Sequence, residues 1–321
     1  MSRGGKPLAL SSGGYMRIAV LGGGAMGMLY GGYLSRRHDV LIVDRKQALA
    51  DKAGRAGLEI IEADGTREAY HPAVLKDSDG QAPVDLLILF VKAMYNREAL
   101  SGNRALIGPD TYLLTLQNGS GHEEIMLEYT DKEHVLIGTT QHNSAVADLG
   151  VIRHPGSGLT CIGPLSGDAS RLTWITDAFE QCGLRTECSG DIRRIVWRKL
   201  FTNASVSALT GVLQMPMGYI ASNPSAWAMC DTLIREAVAV AGGEGLDFDA
   251  REMVNEVRGI CERNPGGLTS IYADLRDGRM TEVDTISGSV VRAGDRNGVH
   301  VPSHRMIVHM VHAMEQSNQG G

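Results

Sequence analysis

Arg17-Ile18-Ala19-Val20-Leu21-Gly22-Gly23-Gly24-Ala25-Met26-Gly27 is the stretch on which the fold of this chain turns. A short apolar run, Ile18 to Leu21, meets glycines at 22, 24 and 27, the G-x-G-x-x-G spacing. A helix-like segment follows from Ala25 to about Arg36, and a second apolar run, Val40 to Val43, ends in Asp44. The pattern reads strand, glycine turn, helix, strand, with an acidic residue at the second strand's end. Gly22 permits the tight turn, Gly24 lets backbone approach a pyrophosphate, and Gly27 lets the helix pack closely on the strand. The helix start at Ala25 and Met26 offers N–H groups and a positive dipole end to phosphates. These residues are therefore the candidate dinucleotide-binding set.

The segment that follows is mixed in its message. Asp44 has the character of a residue that binds the ribose 2′-hydroxyl of NAD, whereas an adjacent arginine, here Arg45, accommodates the 2′-phosphate of NADP. Arg45 and Lys46 also read simply as solvated charges.

A length of 321 residues suggests about two domains. A composition 43% hydrophobic and 21% charged is that of an ordinary globular protein. A formal net charge of −6 lacks the basic footprint of a nucleic-acid binder. Five cysteines with no C-x-x-C pair read as reduced thiols of a cytoplasmic protein. Histidines and cysteines never cluster at metal-ligand spacing, so no metal is expected. No apolar run approaches the ~20 residues of a membrane helix. Residues 1–15 lack the apolar core of a signal peptide and read as a flexible leader, with Met16 a candidate alternative start.

Beyond Asp44, Val84 to Val91, Tyr112 to Leu116 and Val135 to Thr139 read as buried strands of a parallel sheet covered on both faces. Ala145 to Gly163, broken by Gly150, Pro155, Gly156 and Gly158, reads as antiparallel extensions or hairpins, and Leu172 to Gln181 as a closing helix. From Asp191 helical periodicity takes over. Candidate helices are Ile192 to Leu213, Ser225 to Ala241, Leu268 to Arg276, Glu282 to Asn297 and Ser303 to Glu315.

The first of these helices carries Lys199 and Asn203, four apart and so on one face, with Ser207 extending the stripe a further turn. Their neighbours are mostly apolar, and polar groups there need water, a partner or a ligand. A lysine whose pKa is lowered by partial burial is a sensible general acid; the plain alternative is a surface lysine beside a satisfied asparagine. Lys92 and Asn118 follow directly on two expected strands, at the carboxyl ends where open α/β sheets bind ligands. Spacing alone assigns no role to Ser270, or to Glu282, which reads as an acid in a helix's first turn.

Taken together these residues resemble the ketopantoate reductase family (2-dehydropantoate 2-reductases), from Met16 to about Glu315. The ordered motifs are Gly22-x-Gly24-x-x-Gly27, Val91-Lys92, Gln117-Asn118-Gly119 and His154-Pro155-Gly156-Ser157-Gly158, followed by Trp197-Arg198-Lys199-Leu200 with Asn203, and then Thr269-Ser270 leading to Thr281-Glu282-Val283-Asp284. The resemblance implies an α/β fold: a doubly wound Rossmann-type dinucleotide-binding domain over 16–190 and an all-helical substrate and catalytic domain over 191–321, with the active site in the cleft between them. It implies NADPH-dependent reduction of a 2-keto acid, with ketopantoate to pantoate, in pantothenate biosynthesis, as the namesake reaction. On that pattern Lys199 and Glu282 are catalytic, and Asn118, Asn203, Ser207 and Ser270 bind the substrate. Gly22, Gly24, Ala25, Met26, Gly27, Asp44, Arg45, Lys92 and Asn118 meet the cofactor.

Three positions depart from the pattern. Ser207 stands where relatives often carry a second asparagine, Gly267 stands where one often precedes the serine by three residues, and Asp44 brings negative charge to a 2′-phosphate site. NADP(H) is the favoured cofactor. The alternatives are an NADH-dependent D-2-hydroxyacid dehydrogenase acting on a branched or aromatic 2-keto acid, and a non-catalytic NADP(H) sensor. The expected partner is a small-molecule 2-keto acid, with neither nucleic acid nor membrane, and the helical half is compatible with a homodimer.

Overall fold

The computed structural model describes residues 14–319. The expected leader, 1–15, lies outside the described residues except for Gly14 and Tyr15. The chain forms two compact units. One holds the described residues up to Gln117 together with Glu123–Ile192. The other holds Asn118–His122 and the described residues from Arg193 onward.

The first unit contains twelve strands: β1 (Arg17–Leu21), β2 (Asp39–Val43), β3 (Leu58–Glu62), β4 (Arg67–Tyr70), β5 (Ala73–Leu75), β6 (Leu86–Leu89), β7 (Tyr112–Thr115), β8 (Val135–Thr140), β9 (Asn143–Asp148), β10 (Val151–Gly156), β11 (Thr160–Pro164) and β12 (Thr186–Cys188). Its helices are α1 (Ala25–Leu34), α2 (Gln47–Ala56), α3 (Asn96–Gly102), α4 (His122–Met126), whose first residue belongs to the other unit, and α5 (Thr173–Gln181).

Eight strands form one sheet in the order β12-β11-β8-β7-β6-β1-β2-β5. From β5 to β8 every pairing is parallel, while β11 runs antiparallel to β8. Strand order reverses at β1, which has β2 on one edge and β6 on the other. This is the switch point of a doubly wound, Rossmann-type sheet. Alternation along the strands explains the unbroken apolar runs. Ile18, Val20, Leu86 and Ile88 pack with Leu29 of α1 and Phe179 of α5, whereas Ala19, Leu21, Leu87 and Leu89 join Leu100 of α3 on the opposite face.

A second sheet, β4-β3-β10-β9, goes beyond the sequence reading. The antiparallel β9–β10 pair was expected; the β3–β4 hairpin was not. Its signal is Asp64-Gly65, with Gly65 at φ +87° and the Asp64 carboxylate accepting from the Thr66 N–H at 2.9 Å.

A buried polar chain links this sheet to α1. Tyr33 donates to Glu62 Oε1 at 2.5 Å, His154 Nδ1 lies 2.8 Å from Glu62 Oε2, and His154 Nε2 lies 3.0 Å from His142 Nδ1. Burial, reinforced by the neighbouring His154, pushes His142 down to about 4. Burial likewise lowers His122 to about 4.

A histidine held neutral in the fold but titrating near 6.5 when unfolded favours unfolding as pH falls. Its contribution is intact above about 6.5 and is lost progressively toward 4, at a cost of about 3 kcal/mol per group by pH 4. The thermal midpoint is therefore expected to drop between pH 6.5 and 4, and His142→Gln should flatten that drop. An unchanged pH slope in the variant would remove His142 from the account.

The second unit is helical: α6 (Ile192–Thr202), a π turn (Asn203–Ser207), α7 (Ala208–Leu213), α8 (Met217–Ser222), α9 (Pro224–Gly243), α10 (Ala250–Arg263), α11 (Ser270–Arg276), α12 (Ser287–Asn297) and α13 (Pro302–Gln319). Its core joins Trp197, Leu200 and Phe201 to Ile234, Val257, Ile271, Val290 and Val311.

Besides the short α8, which lies outside the candidate helices, three features differ from the sequence reading. First, the expected helix Ile192 to Leu213 is interrupted by the wide π turn. Second, α10 was missed. Asp249 caps it by accepting from the Glu252 N–H at 2.7 Å, a bond worth about 1 kcal/mol. The apolar stripe Met253, Val254, Val257 and Cys261 was masked by the charges between its members. Third, the helix expected from Glu282 begins at Ser287. The Glu282 carbonyl accepts from the N–H groups of Thr285 and Ile286, and Ile286 sits at φ −94°, ψ −92°, so 282–286 is a folded turn.

Candidate functional site

In the first unit the glycine turn joins β1 to α1 by close backbone approach. Gly22 lies at φ +109°, where a Cβ would come within 2.7 Å of the Val91 nitrogen. A Cβ on Gly27 would fall 1.8 Å from the Gly22 carbonyl oxygen. Gly24 is different: nothing lies within 4 Å of where its Cβ would stand. No side chain caps the start of α1. Open space over Gly24, together with the N–H groups of Ala25, Met26 and Gly27 at an uncapped helix start, suits the pyrophosphate of a dinucleotide. The residues present therefore fit such a cofactor.

Asp44 is engaged within the protein. Its Oδ2 accepts from the Gly23 N–H at 2.8 Å and its Oδ1 from the Lys46 N–H at 3.0 Å. Arg45, exposed beyond it, pairs with Glu98 at 2.6 Å.

Lys92 stands just past the end of β6 and opens a short 3₁₀ turn, Ala93–Tyr95. The strand ends beside it are tied by residues that the sequence reading missed. Gln117 Nε2 donates to the Val91 carbonyl at 2.5 Å and to Asn96 Oδ1 at 2.7 Å. Asn96 Nδ2 donates back to Gln117 Oε1 at 3.1 Å. Asn96 is wholly buried. Gln117 precedes Asn118 in the quoted motif, but nothing in the local pattern announces its pairing with Asn96.

In the second unit, Lys199 lies on the last full turn of α6, partly buried, while its neighbour Arg198 is drawn away to Glu256 through Nε contacts of 2.9 and 2.8 Å. Burial brings the Lys199 ammonium down to about 8, and the Glu282 carboxylate pulls it back up. The folded turn of Glu282 and the π turn thus serve one another's surroundings. The Ser287 hydroxyl, where α12 begins, donates to the Ala204 carbonyl inside the π turn at 3.2 Å. π turns are frequent at functional sites, and this one carries Asn203 about one turn and Ser207 about two turns beyond Lys199. Asn203 is partly buried and Ser207 is buried. Thr269 caps α11, accepting from the Tyr272 N–H at 3.3 Å, and bonds the Thr210 hydroxyl at 2.7 Å. Ser270, the first residue of α11, is exposed.

Asn118 also belongs to this unit. The loop it opens docks on the Glu282 turn: the Ser120 N–H donates to the Thr285 carbonyl at 3.0 Å, and a Cβ on Gly119, at φ +102°, would lie 2.0 Å from that same oxygen. His122 closes the loop, its Nε2 3.0 Å from the Asn118 carbonyl. The unit thus gathers Lys199, Glu282 and the Asn118 loop, whereas the glycine turn, Asp44, Arg45 and Lys92 belong to the first. The positioning role of His122 was not read from the sequence, where it is one histidine among ten.

Two family descriptions match the chain: "Ketopantoate reductase PanE/ApbA" over residues 18–167 and "Ketopantoate reductase PanE/ApbA C terminal" over 191–315. A 2-dehydropantoate 2-reductase of Halobacterium salinarum is 30% identical over 300 residues, covering 92% of this chain and 98% of that protein. Among solved structures, D-mandelate dehydrogenase with NADH and anilino(oxo)acetate matches with a TM-score of 0.88 and 29% identity, covering 95% of this chain and all of that one (100%). A PanE/ApbA family ketopantoate reductase from Ralstonia eutropha matches with a TM-score of 0.85 and 27% identity, covering 95% and 100%.

Proposed function

The chain belongs to the ketopantoate reductase family, and from that premise we propose that it reduces ketopantoate to pantoate with NADPH. It is an oxidoreductase of the 2-dehydropantoate 2-reductase type, using a nicotinamide cofactor. The observation that carries the mechanism is Lys199, a partly buried lysine on a helix that packs Trp197, Leu200 and Phe201 into the core, with its ammonium held near 8 and a carboxylate, Glu282, acting on it.

In this reading Gly22, Gly24, Ala25, Met26 and Gly27 hold the pyrophosphate, Arg45 meets the ribose 2′-phosphate, and Lys92 and Asn118 lie toward the nicotinamide. The bound cofactor supplies the hydride that reduces the keto carbon. Lys199, as ammonium, stabilises the negative charge growing on the keto oxygen and donates a proton to it, leaving a neutral amine that regains its proton from water. Glu282 keeps Lys199 charged and orients it. Asn203, Ser207 and Ser270 position the substrate. The domain assignment follows: 16–190 binds the cofactor and 191–321 supplies substrate contacts and the acid.

The test is the loss of reduced-nicotinamide absorbance with ketopantoate, run separately with NADPH and NADH. Turnover with NADPH supports the reading. A second reading, an NADH-dependent D-2-hydroxyacid dehydrogenase, is favoured by the likeness to D-mandelate dehydrogenase. Activity confined to NADH and an aromatic 2-keto acid would establish it instead. Cofactor binding without turnover of any 2-keto acid would replace both with a sensor.

The pH profile follows from the acid. Lys199 donates only when protonated, below about 8. For keto-acid reduction, kcat/KM is expected to be flat near neutrality and to fall tenfold per pH unit above about 8, while alcohol oxidation rises over the same range. Glu282→Gln removes the charge that pulls Lys199 upward, so the falling limb should move to lower pH. An unmoved limb would separate Glu282 from the acid.

A further inference from the structure

β2 and β6 flank β1 on opposite edges, and all three run parallel. Arg45 follows the carboxyl end of β2, and Glu98 sits in the first turn of α3, which follows β6. Their ion pair, Arg45 Nη1 to Glu98 Oε1 at 2.6 Å, therefore spans the end of β1, where the strand order reverses. That is the crevice in which open α/β sheets take their ligands. The guanidinium also lies 5.2 Å from the centre of the Tyr95 ring, which aims it toward α3. Both charged side chains are exposed, 70% for Arg45 and 61% for Glu98, so water screens the pair and it opens at little cost.

Asp44 is the acidic residue conventionally read as the ribose selector, yet one of its carboxylate oxygens accepts the Gly23 N–H of the glycine turn and the other the Lys46 N–H. The charged side chains at this end of the sheet include Arg45 and Lys46 beside Asp44 and, across β1, Lys92 and Glu98. A 2′-phosphate carries the same kind of acceptor oxygens as the Glu98 carboxylate, with more charge. To hold Arg45 in a bidentate grip it must displace the Glu98 carboxylate or share the guanidinium with it, and in either case that carboxylate's negative charge stays nearby. A ribose 2′-hydroxyl imposes neither demand.

We propose that Glu98 is a specificity-determining residue: it competes with the ribose 2′-phosphate for Arg45 and so sets how strongly this chain prefers the phosphorylated dinucleotide. The proposal rests on the reading that the glycine-turn site takes NADP(H).

Direct fluorescence titration of the full chain with NADPH and with NADH tests it without turnover. In Glu98→Gln the Kd for NADPH is expected to fall roughly three- to tenfold while that for NADH moves less than about twofold. Glu98→Asp, which keeps the charge, should stay near the parent ratio. Arg45→Ala should weaken NADPH by about tenfold or more with NADH unchanged, and adding Glu98→Gln to it should change the NADPH Kd by less than about twofold, because the contested partner is gone. A general loss of stability would move both cofactors together. If Glu98→Gln leaves the ratio of the two Kd values unchanged, the inference falls while the cofactor reading stands. If Glu98→Gln tightens NADPH equally with and without Arg45, competition is replaced by simple repulsion and the inference also falls. If neither dinucleotide binds the parent chain, the cofactor reading itself falls.

Discussion

Lys199→Ala is expected to lower kcat for keto-acid reduction by about three orders of magnitude, within the range of about 10²–10⁴ typical of a positioned general acid. The Kd for NADPH, measured by fluorescence, should change less than about twofold, because Lys199 belongs to the helical unit and the glycine turn to the other. Desolvation is what makes the loss large. Near pH 7 a lysine held at about 8 is mostly protonated yet gives up its proton far more readily than one at its ordinary 10.5. Lys199→Arg keeps a positive charge but has no accessible acid proton, so it should recover electrostatic stabilisation without proton delivery and remain well below the parent. A kcat within tenfold of the parent for Lys199→Ala would remove Lys199 from the chemistry.

Gly27→Ala is expected to weaken NADPH binding by roughly 30-fold or more, corresponding to about 2–3 kcal/mol of forced rearrangement. The added methyl carbon would stand 1.8 Å from the Gly22 carbonyl oxygen. Relaxation is blocked on the other side, because the Gly22 N–H is bonded to the Val43 carbonyl at 2.9 Å and Gly22 itself lies against the Phe90 and Val91 backbone. Either α1 lifts from β1 or the turn opens, and both displace the N–H groups that face the pyrophosphate. Gly54→Ala is the control. It lies within α2 with open space around it, and helix propensity makes it neutral or slightly stabilising. Parent-like NADPH binding by Gly27→Ala, with Gly54→Ala equally silent, would mean that the glycine turn is not the cofactor cradle.

The parallel core was legible because its strands are buried on both faces and its turn needs glycines at fixed offsets. Ile18–Leu21 and Gly22 to Gly27 carry both signals within ten residues. The small sheet was less legible: β4 exposes Arg67, Glu68 and Ala69, and only the Asp64-Gly65 turn marks its hairpin. Lys199 and Asn203 could be placed on a common face because helix geometry fixes residues four apart. Glu282 could not be placed by pattern, since it lies in a turn built from the Thr285 and Ile286 N–H bonds to its own carbonyl and from the Val283 N–H bond to the Thr281 hydroxyl, and its effect on Lys199 depends on packing between segments far apart in sequence. The π turn left no mark either, because Asn203-Ala204-Ser205-Val206-Ser207 has the composition of an ordinary helix. His122, Asn96 and Gln117 escaped for the same reason: their roles exist only in their tertiary partners.

The five residues Asn118–His122 are a splice from the early part of the gene into the late part of the molecule. The chain passes between its two units at Gln117–Asn118, His122–Glu123 and Ile192–Arg193, so the units are not modules that a single cut can separate. During synthesis this loop emerges with the Rossmann-type half, yet the Thr285 carbonyl that receives the Ser120 N–H is made only after most of the helices. A gene truncated after Ile192 leaves the loop with no dock, and one begun at Arg193 leaves the Glu282 turn with no loop. The helical unit is thus completed by a fragment translated long before it, and recombining domains among relatives would have to carry Asn118–His122 along with the helices rather than with the sheet that precedes it.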